Sequence, residues 1–145
     1  MKSISLVMTV MLLALLAGAP LAFGEDVKVL EAKAIEQCND GRYDQAIATL
    51  TQGLKQKPDD PTLSYLRGRA YTAKGQYGPA LEDLNNALKR NPNYGAAYFA
   101  RAMVYVYQDN YDAALEDLTK AERNGYKDAD FLKLVQKKAG MKKNK

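Results

Sequence analysis

Apolar and polar residues follow a helical rhythm that restarts every 34 positions. Ala46, Ala80 and Ala114 are each preceded by a tyrosine (Tyr43, Tyr77, Tyr111) and followed by a leucine (Leu50, Leu84, Leu118). Offsets of three and four residues put each trio on one helix face. A second set lies upstream: Ala34, Gly68 and Ala102, with Gln37, Tyr71 and Tyr105 one turn on. The pattern predicts two helices per unit, A then B. A small residue on B lets A approach closely, while the tyrosine and leucine fill the space beside it. A fixed period of this length marks a helical solenoid.

The punctuation agrees. Asp60 before Pro61 is a helix start, a capping oxygen followed by a residue that needs no N–H there. Gly75 supplies a permissive backbone at the end of the helix reaching about Lys74, and Asn91 with Pro92 breaks the next one, which runs from about Tyr77 to Arg90. The first unit predicts helices near 26–40 and 43–57, the third near 95–108 and 111–124, with Asn124 and Gly125 as the stop. A seventh helix is expected from Asp128 to Ala139, with Phe131, Leu134 and Val135 as its apolar stripe. Met103 to Tyr107 would read as a strand on β-propensity alone, and the repeat register overrules that reading.

On these residues, 27–126 resemble three tetratricopeptide repeats, and 128–139 resemble the closing helix such arrays carry. The resemblance implies an all-α fold: an α-solenoid of three antiparallel helix pairs plus a capping helix, in a right-handed superhelix. The repeats fall at about 27–60, 61–94 and 95–128 within a domain of 25–139, leaving 140–145 as a basic tail. There are departures from the family pattern. Its aromatic near the start of helix A is Leu30, Ser64 and Tyr98 here, and its leucine becomes Lys33, Arg67 and Arg101. Gly53 replaces the alanine found at 87 and 121, at a cost of about 1 kcal/mol in helix propensity. The first unit is therefore expected to be the weakest. Arg67 and Asp83, like Arg101 and Asp117, are 16 residues apart, whereas Lys33 has Thr49 at that distance. One Arg–Asp pair across each later hairpin is one reading. Separately solvated charges with the arginine stem packed down is the other.

The family binds peptide segments or partner helices in a concave groove lined by its A helices. Transferring that register gives Glu31, Ile35, Cys38 and Asn39 from the first unit, and Thr62, Tyr65, Arg69 and Thr72 from the second. The third gives Phe99, Met103, Val106 and Tyr107, so the groove is expected to turn from polar to aromatic along its length. The alternative is that Phe99, Met103 and Tyr107 pack against the neighbouring repeat or the seventh helix. Arrays that clamp the terminal carboxylate of heat-shock chaperones share groove Lys, Asn and Arg residues. This chain has Glu31, Ile35, Leu66, Ala96 and Ala100 at the matching positions, which argues against that ligand.

Composition then adds limits. Histidine and tryptophan are absent, which removes the commonest general base and metal ligand. The acidic pairs Glu82-Asp83 and Glu116-Asp117 are poor catalytic candidates, since adjacent helical residues do not face each other, and Lys120 offers Glu116 a surface partner. No enzyme, cofactor or metal site is expected. Lys2, an apolar run from Ile4 to Phe23 and small residues at its end describe an export signal over 1–24, cut after Gly24. An uncleaved anchor is the alternative, and both leave the repeats outside the cytoplasm, periplasmic or secreted. Residues 25–132 carry a net charge of −3 and the six lysines from Lys133 onward carry the rest. Lys137, Lys138, Lys142, Lys143 and Lys145 suit a helix C-terminus, or weak attraction to a membrane surface or acidic partner, while nucleic acid is disfavoured. Cys38, a lone thiol in an exported chain, reads as a half-buried packing residue or as an intermolecular disulfide that makes a homodimer. Two functional expectations follow: an assembly or scaffolding adaptor that captures a protein segment in its groove, and a self-associating structural subunit.

Overall fold

A computed structural model describes residues 25–143, so the expected export signal and the final two residues lie outside the described residues. Seven helices make up this part: α1 (Val27–Asn39), α2 (Tyr43–Gln56), α3 (Pro61–Ala73), α4 (Tyr77–Arg90), α5 (Gly95–Tyr107), α6 (Tyr111–Arg123) and α7 (Ala129–Lys143). None is long and apolar enough to cross a membrane. Each packs on the next in sequence. The A helices also touch one another, α1 with α3 and α3 with α5, while the B helices make no comparable contact among the described residues. The stack therefore curves with α1, α3 and α5 on its inner wall.

Local chemistry sets the boundaries. The Asp60 carboxylate accepts from the N–H groups of Thr62 and Leu63 at 2.9 and 3.1 Å, and Pro61 opens α3. The turn inside each pair needs a left-handed residue. Gly41 and Gly75 supply it at φ +73° and +71°, and Asp109 supplies it in the third pair at +55°. Asp109 is held there by two contacts: its carboxylate accepts from the Tyr111 hydroxyl, and its carbonyl from Lys142 Nζ at 2.6 Å.

The crossings of A on B are as tight as the small residues imply. Ala34, Ala46, Ala80, Ala102 and Ala114 have no exposed surface. A methyl group added to Gly68 would lie 2.8 Å from Leu84 Cγ and 3.2 Å from the Ala80 carbonyl oxygen. Gly53 has a reason as well: a methyl there would come within 3.0 Å of the fully buried Leu63. One repeat on, Ala97 replaces that leucine and Ala87 fills the space, both within one cluster.

Both Arg–Asp pairs form. Arg67 donates through Nε and Nη2 to Asp83 at 2.7 and 2.8 Å, and Arg101 makes the same fork to Asp117 at 2.7 and 2.8 Å. The carboxylates are buried, with Asp83 3% and Asp117 2% exposed. Their hydrogen bonds hold both guanidinium groups protonated more firmly than free arginine. Each arginine also reaches backward, Arg67 to Thr51 at 3.0 Å and Arg101 to Asn85 at 2.6 Å, so one side chain ties three helices across two repeats. This disposes of the acidic pairs as chemistry, since each aspartate is a fork partner and Glu116 bonds Lys120 at 2.6 Å. The first pair of helices lacks a fork. Lys33 meets Glu25 at 3.7 Å, and Thr49 donates instead to Gln37 at 2.9 Å inside the hairpin.

The seventh helix departs from expectation twice. It runs four residues past Ala139 to Lys143, and its buried stripe is Phe131, Leu132, Val135 and Ala139 rather than a stripe containing Leu134. Leu134 is 47% exposed, because each residue turns a helix by about 100° and Val135 faces the core.

Three outcomes are expected. Arg101→Ala leaves a buried carboxylate without its partner and should cost about 3 kcal/mol in urea unfolding, whereas Lys33→Ala should stay within about 0.5 kcal/mol. Gly68→Ala should cost about 1–3 kcal/mol by the same measurement, since Leu84 and the Ala80 carbonyl leave no room for the methyl. Native-state amide exchange should find α1 and α2 opening before α5 and α6, because the first pair has a neutral bond where the others have forks.

Candidate functional site

The inner wall holds two adjoining hollows. The larger, about 310 Å³, lies between α3 and α5. Its α3 side is Tyr65, Arg69, Thr72 and Ala73, and its α5 side is Ala96, Phe99, Ala100, Met103 and Tyr107, with Tyr126 closing one end. The smaller, about 160 Å³, lies between α1 and α3 and is bounded by Ile35, Cys38, Asn39, Tyr43 and Leu66. Arg69 and Ala73 belong to both, so the hollows form one trough with Arg69 at the join.

The sequence-derived groove residues fall as follows. Ile35, Tyr65, Arg69, Thr72, Phe99, Met103 and Tyr107 line the trough, as do Cys38 and Asn39. Val106 does not: it turns to the other side of α5 and packs against the cluster of Ala102, Ala114 and Val135. Glu31 and Thr62 also lie outside both hollows. Glu31 is engaged by Lys28 at 3.2 Å, and Thr62 sits in the capped first turn of α3. The first hollow is less polar than expected, because Leu66 and Ala70 of α3 face Ile35 and Cys38 there.

Tyr126 was not singled out from the sequence. Its ring centre lies 4.7 Å from that of Phe99, which in turn lies 5.2 Å from Phe131 on α7. The available signal was periodic, since Pro58 and Pro92 occupy the equivalent position in the two earlier units. Phe99 thus both packs and lines the hollow. Tyr107 is 55% exposed and stacks on Tyr77, with ring centres 5.6 Å apart and planes 10° from parallel.

Electrostatically the trough is simple. Arg69 is the only charged residue lining either hollow among the described residues. Its guanidinium sits over the Tyr65 ring at 5.6 Å, and Tyr65 is backed by Tyr94 at 4.9 Å. Burial pushes the Tyr94 hydroxyl pKa up. Cys38 is half-buried against the first core cluster, and burial pushes its thiol up too, against a smaller opposite pull from Arg69. A raised thiol pKa makes for a poor nucleophile. The Thr72 hydroxyl donates to the Gly68 carbonyl at 2.8 Å, so it is left as an acceptor only.

Two family models, both described as tetratricopeptide repeat, match residues 32–95 and 95–123. No curated protein sequence matches the chain. Among solved structures, it is similar to the first TPR domain of human RPAP3, with 25% identity and a TM-score of 0.77 over 81% of this chain and 95% of that one. It is also similar to the Sgt2 TPR domain from Aspergillus fumigatus, with 27% identity and a TM-score of 0.76 over 82% of each chain. A third similar structure is the first TPR of Spaghetti (RPAP3) bound to the HSP90 peptide SRMEEVD, with 24% identity and a TM-score of 0.73 over 79% of this chain and 91% of that one. With the 34-residue register, the small-residue crossings and the curvature already established, these matches complete the assignment, and the chain belongs to the tetratricopeptide repeat family.

Proposed function

We propose that the chain is an exported interaction module that takes a segment of another protein into the trough of α1, α3 and α5 and serves as an assembly or scaffolding adaptor. The family and the similar domains are interaction modules rather than enzymes, and one such domain carries a bound peptide. The observation that carries the reading is the trough itself, with an exposed Tyr107, a half-buried Phe99 and a floor of small residues, Ala96 and Ala100. Wide, aromatic-walled concavities of this size take bulky apolar side chains. Export rests on the character of Lys2 and the run from Ile4 to Phe23. The HSP90 peptide of the Spaghetti domain is not the ligand favoured for this chain: Ala96 and Ala100 offer no cation where arrays that clamp a terminal carboxylate have one. Self-association through Cys38 is not favoured either. The thiol lines the concave wall, so a disulfide would have to form inside the trough.

The test is selection of random twelve-residue peptides displayed on phage against the purified domain. The wild type should enrich a motif with micromolar affinity. Ala96→Trp combined with Tyr107→Ala, which plugs the floor and strips the rim, should weaken binding at least about tenfold with the thermal midpoint kept. Equal binding by the plugged variant would remove the trough as the site.

A further inference from the structure

The geometry points to the chemistry of the captured segment: an internal Asp or Glu side chain held by Arg69, with a bulky apolar residue beside it entering the Ala96–Ala100 hollow. This rests on the trough being the binding site and names what that site selects.

The argument begins with the arginines. Arg42, Arg67, Arg90 and Arg101 each meet a carboxylate of the chain itself: Asp40, Asp83, Asp59 and Asp117. Arg69 and Arg123 meet none among the described residues, although acids outnumber bases over residues 25–132, and of these two only Arg69 lines the trough. It is nonetheless positioned. The Tyr65 ring lies under its guanidinium, and Tyr94 backs Tyr65, so the fork is presented toward the trough with part of its freedom already lost. A planar, permanently charged fork with unfilled donors is suited to a carboxylate, which it can bind through two parallel hydrogen bonds.

Location decides which carboxylate. Arg69 stands where the two hollows join, with open trough on both sides. A chain lying along the trough continues past Arg69 in both directions, so it offers a side-chain acid at that point and not its terminus. On the α5 side the neighbouring space is walled by Phe99, Met103 and Tyr107 over a floor of alanines, which sets an apolar residue next to the acid. The other wall carries Ile35, Cys38 and Leu66, so the segment has one acidic contact and apolar contacts on either side of it.

The test uses the same phage-displayed twelve-residue library, in which the peptide C-terminus is fused and no free terminal carboxylate is available. The best wild-type binder is then made synthetically with an amidated C-terminus. Wild-type selections should converge on an Asp or Glu next to a large apolar residue. Arg69→Gln should weaken the amidated peptide about ten- to a hundredfold, and Arg69→Glu should select Lys or Arg in place of the acid. The Arg69 side chain is exposed and outside the core clusters, so circular dichroism and the thermal midpoint should stay unchanged. A wild-type motif without an acid, or Arg69→Gln binding as tightly as wild type, overturns the inference and leaves the trough reading standing. Synthetic peptides that bind only with a free C-terminus overturn the choice of an internal acid. A wild-type dimer in sedimentation that Arg69→Gln dissociates would make a second copy of this chain the source of the acid, and would overturn the choice of a foreign segment. Failure of the wild type to select any peptide defeats the trough reading itself, and this inference with it.

Discussion

Backbone-to-backbone approach at the helix crossings is the constraint on which the rest depends. Ala34 on Ala46, Gly68 on Ala80 and Ala102 on Ala114 leave no side chain thick enough to hold the helices apart. Close contact at one point fixes the crossing angle. Repeating that angle brings α1, α3 and α5 onto one wall and leaves the B helices splayed on the other. The trough is thus a consequence of three pairs of small residues. The rest of the packing adapts around them by exchange of volume, as where a glycine at 53 accommodates the leucine at 63 and an alanine at 87 accompanies an alanine at 97.

Around the crossings, the two arginine forks do a job that apolar packing cannot. Leucine and alanine faces tolerate a slip of one helix along another, while a bidentate guanidinium–carboxylate pair is satisfied at a single register. Burying Asp83 and Asp117 has a desolvation cost that the two short bonds offset, with the additional bonds to Thr51 and Asn85 using a remaining donor. Because each arginine grips its own hairpin and the one before it, the forks couple neighbours rather than stiffening single units. The first hairpin enters this scheme only as an acceptor, through Thr51 on α2, and is internally held by the neutral Gln37–Thr49 bond. The second and third hairpins thus carry a charged brace that the first lacks, and the aromatic half of the trough lies between those two braced units.

Much of this was legible in the chain. Period, crossings, caps and the 16-residue Arg–Asp spacing are all local or strictly repeating, and such patterns survive translation into structure with little loss. Most of the trough followed as well, since one face of an A helix carries its members at three- and four-residue steps. The losses came where repetition ends. Tyr126 lies in the connection after α6, where the proline of the earlier units gives way and nothing periodic says which way the ring points. Val106 is one residue from the exposed Tyr107, and a helix turn of that size decides between trough and core. The facing of α7 was misjudged for the same reason, because a closing helix has no later neighbour to fix its rotation. The backward reach of Arg67 and Arg101 went unseen because an arginine satisfied by one partner gives no sequence sign of a second.

The way α7 ends has a consequence for assembly. Its inner side buries Phe131, Val135 and Ala139, its lysine at 142 clasps the Asp109 carbonyl and lies over the Tyr111 ring at 5.7 Å, and its outer side carries Lys133 and Lys137 beside the exposed Leu134. Lysines in the slot where a fourth hairpin would dock face lysines when two arrays meet tail to tail, and like charges oppose that pairing.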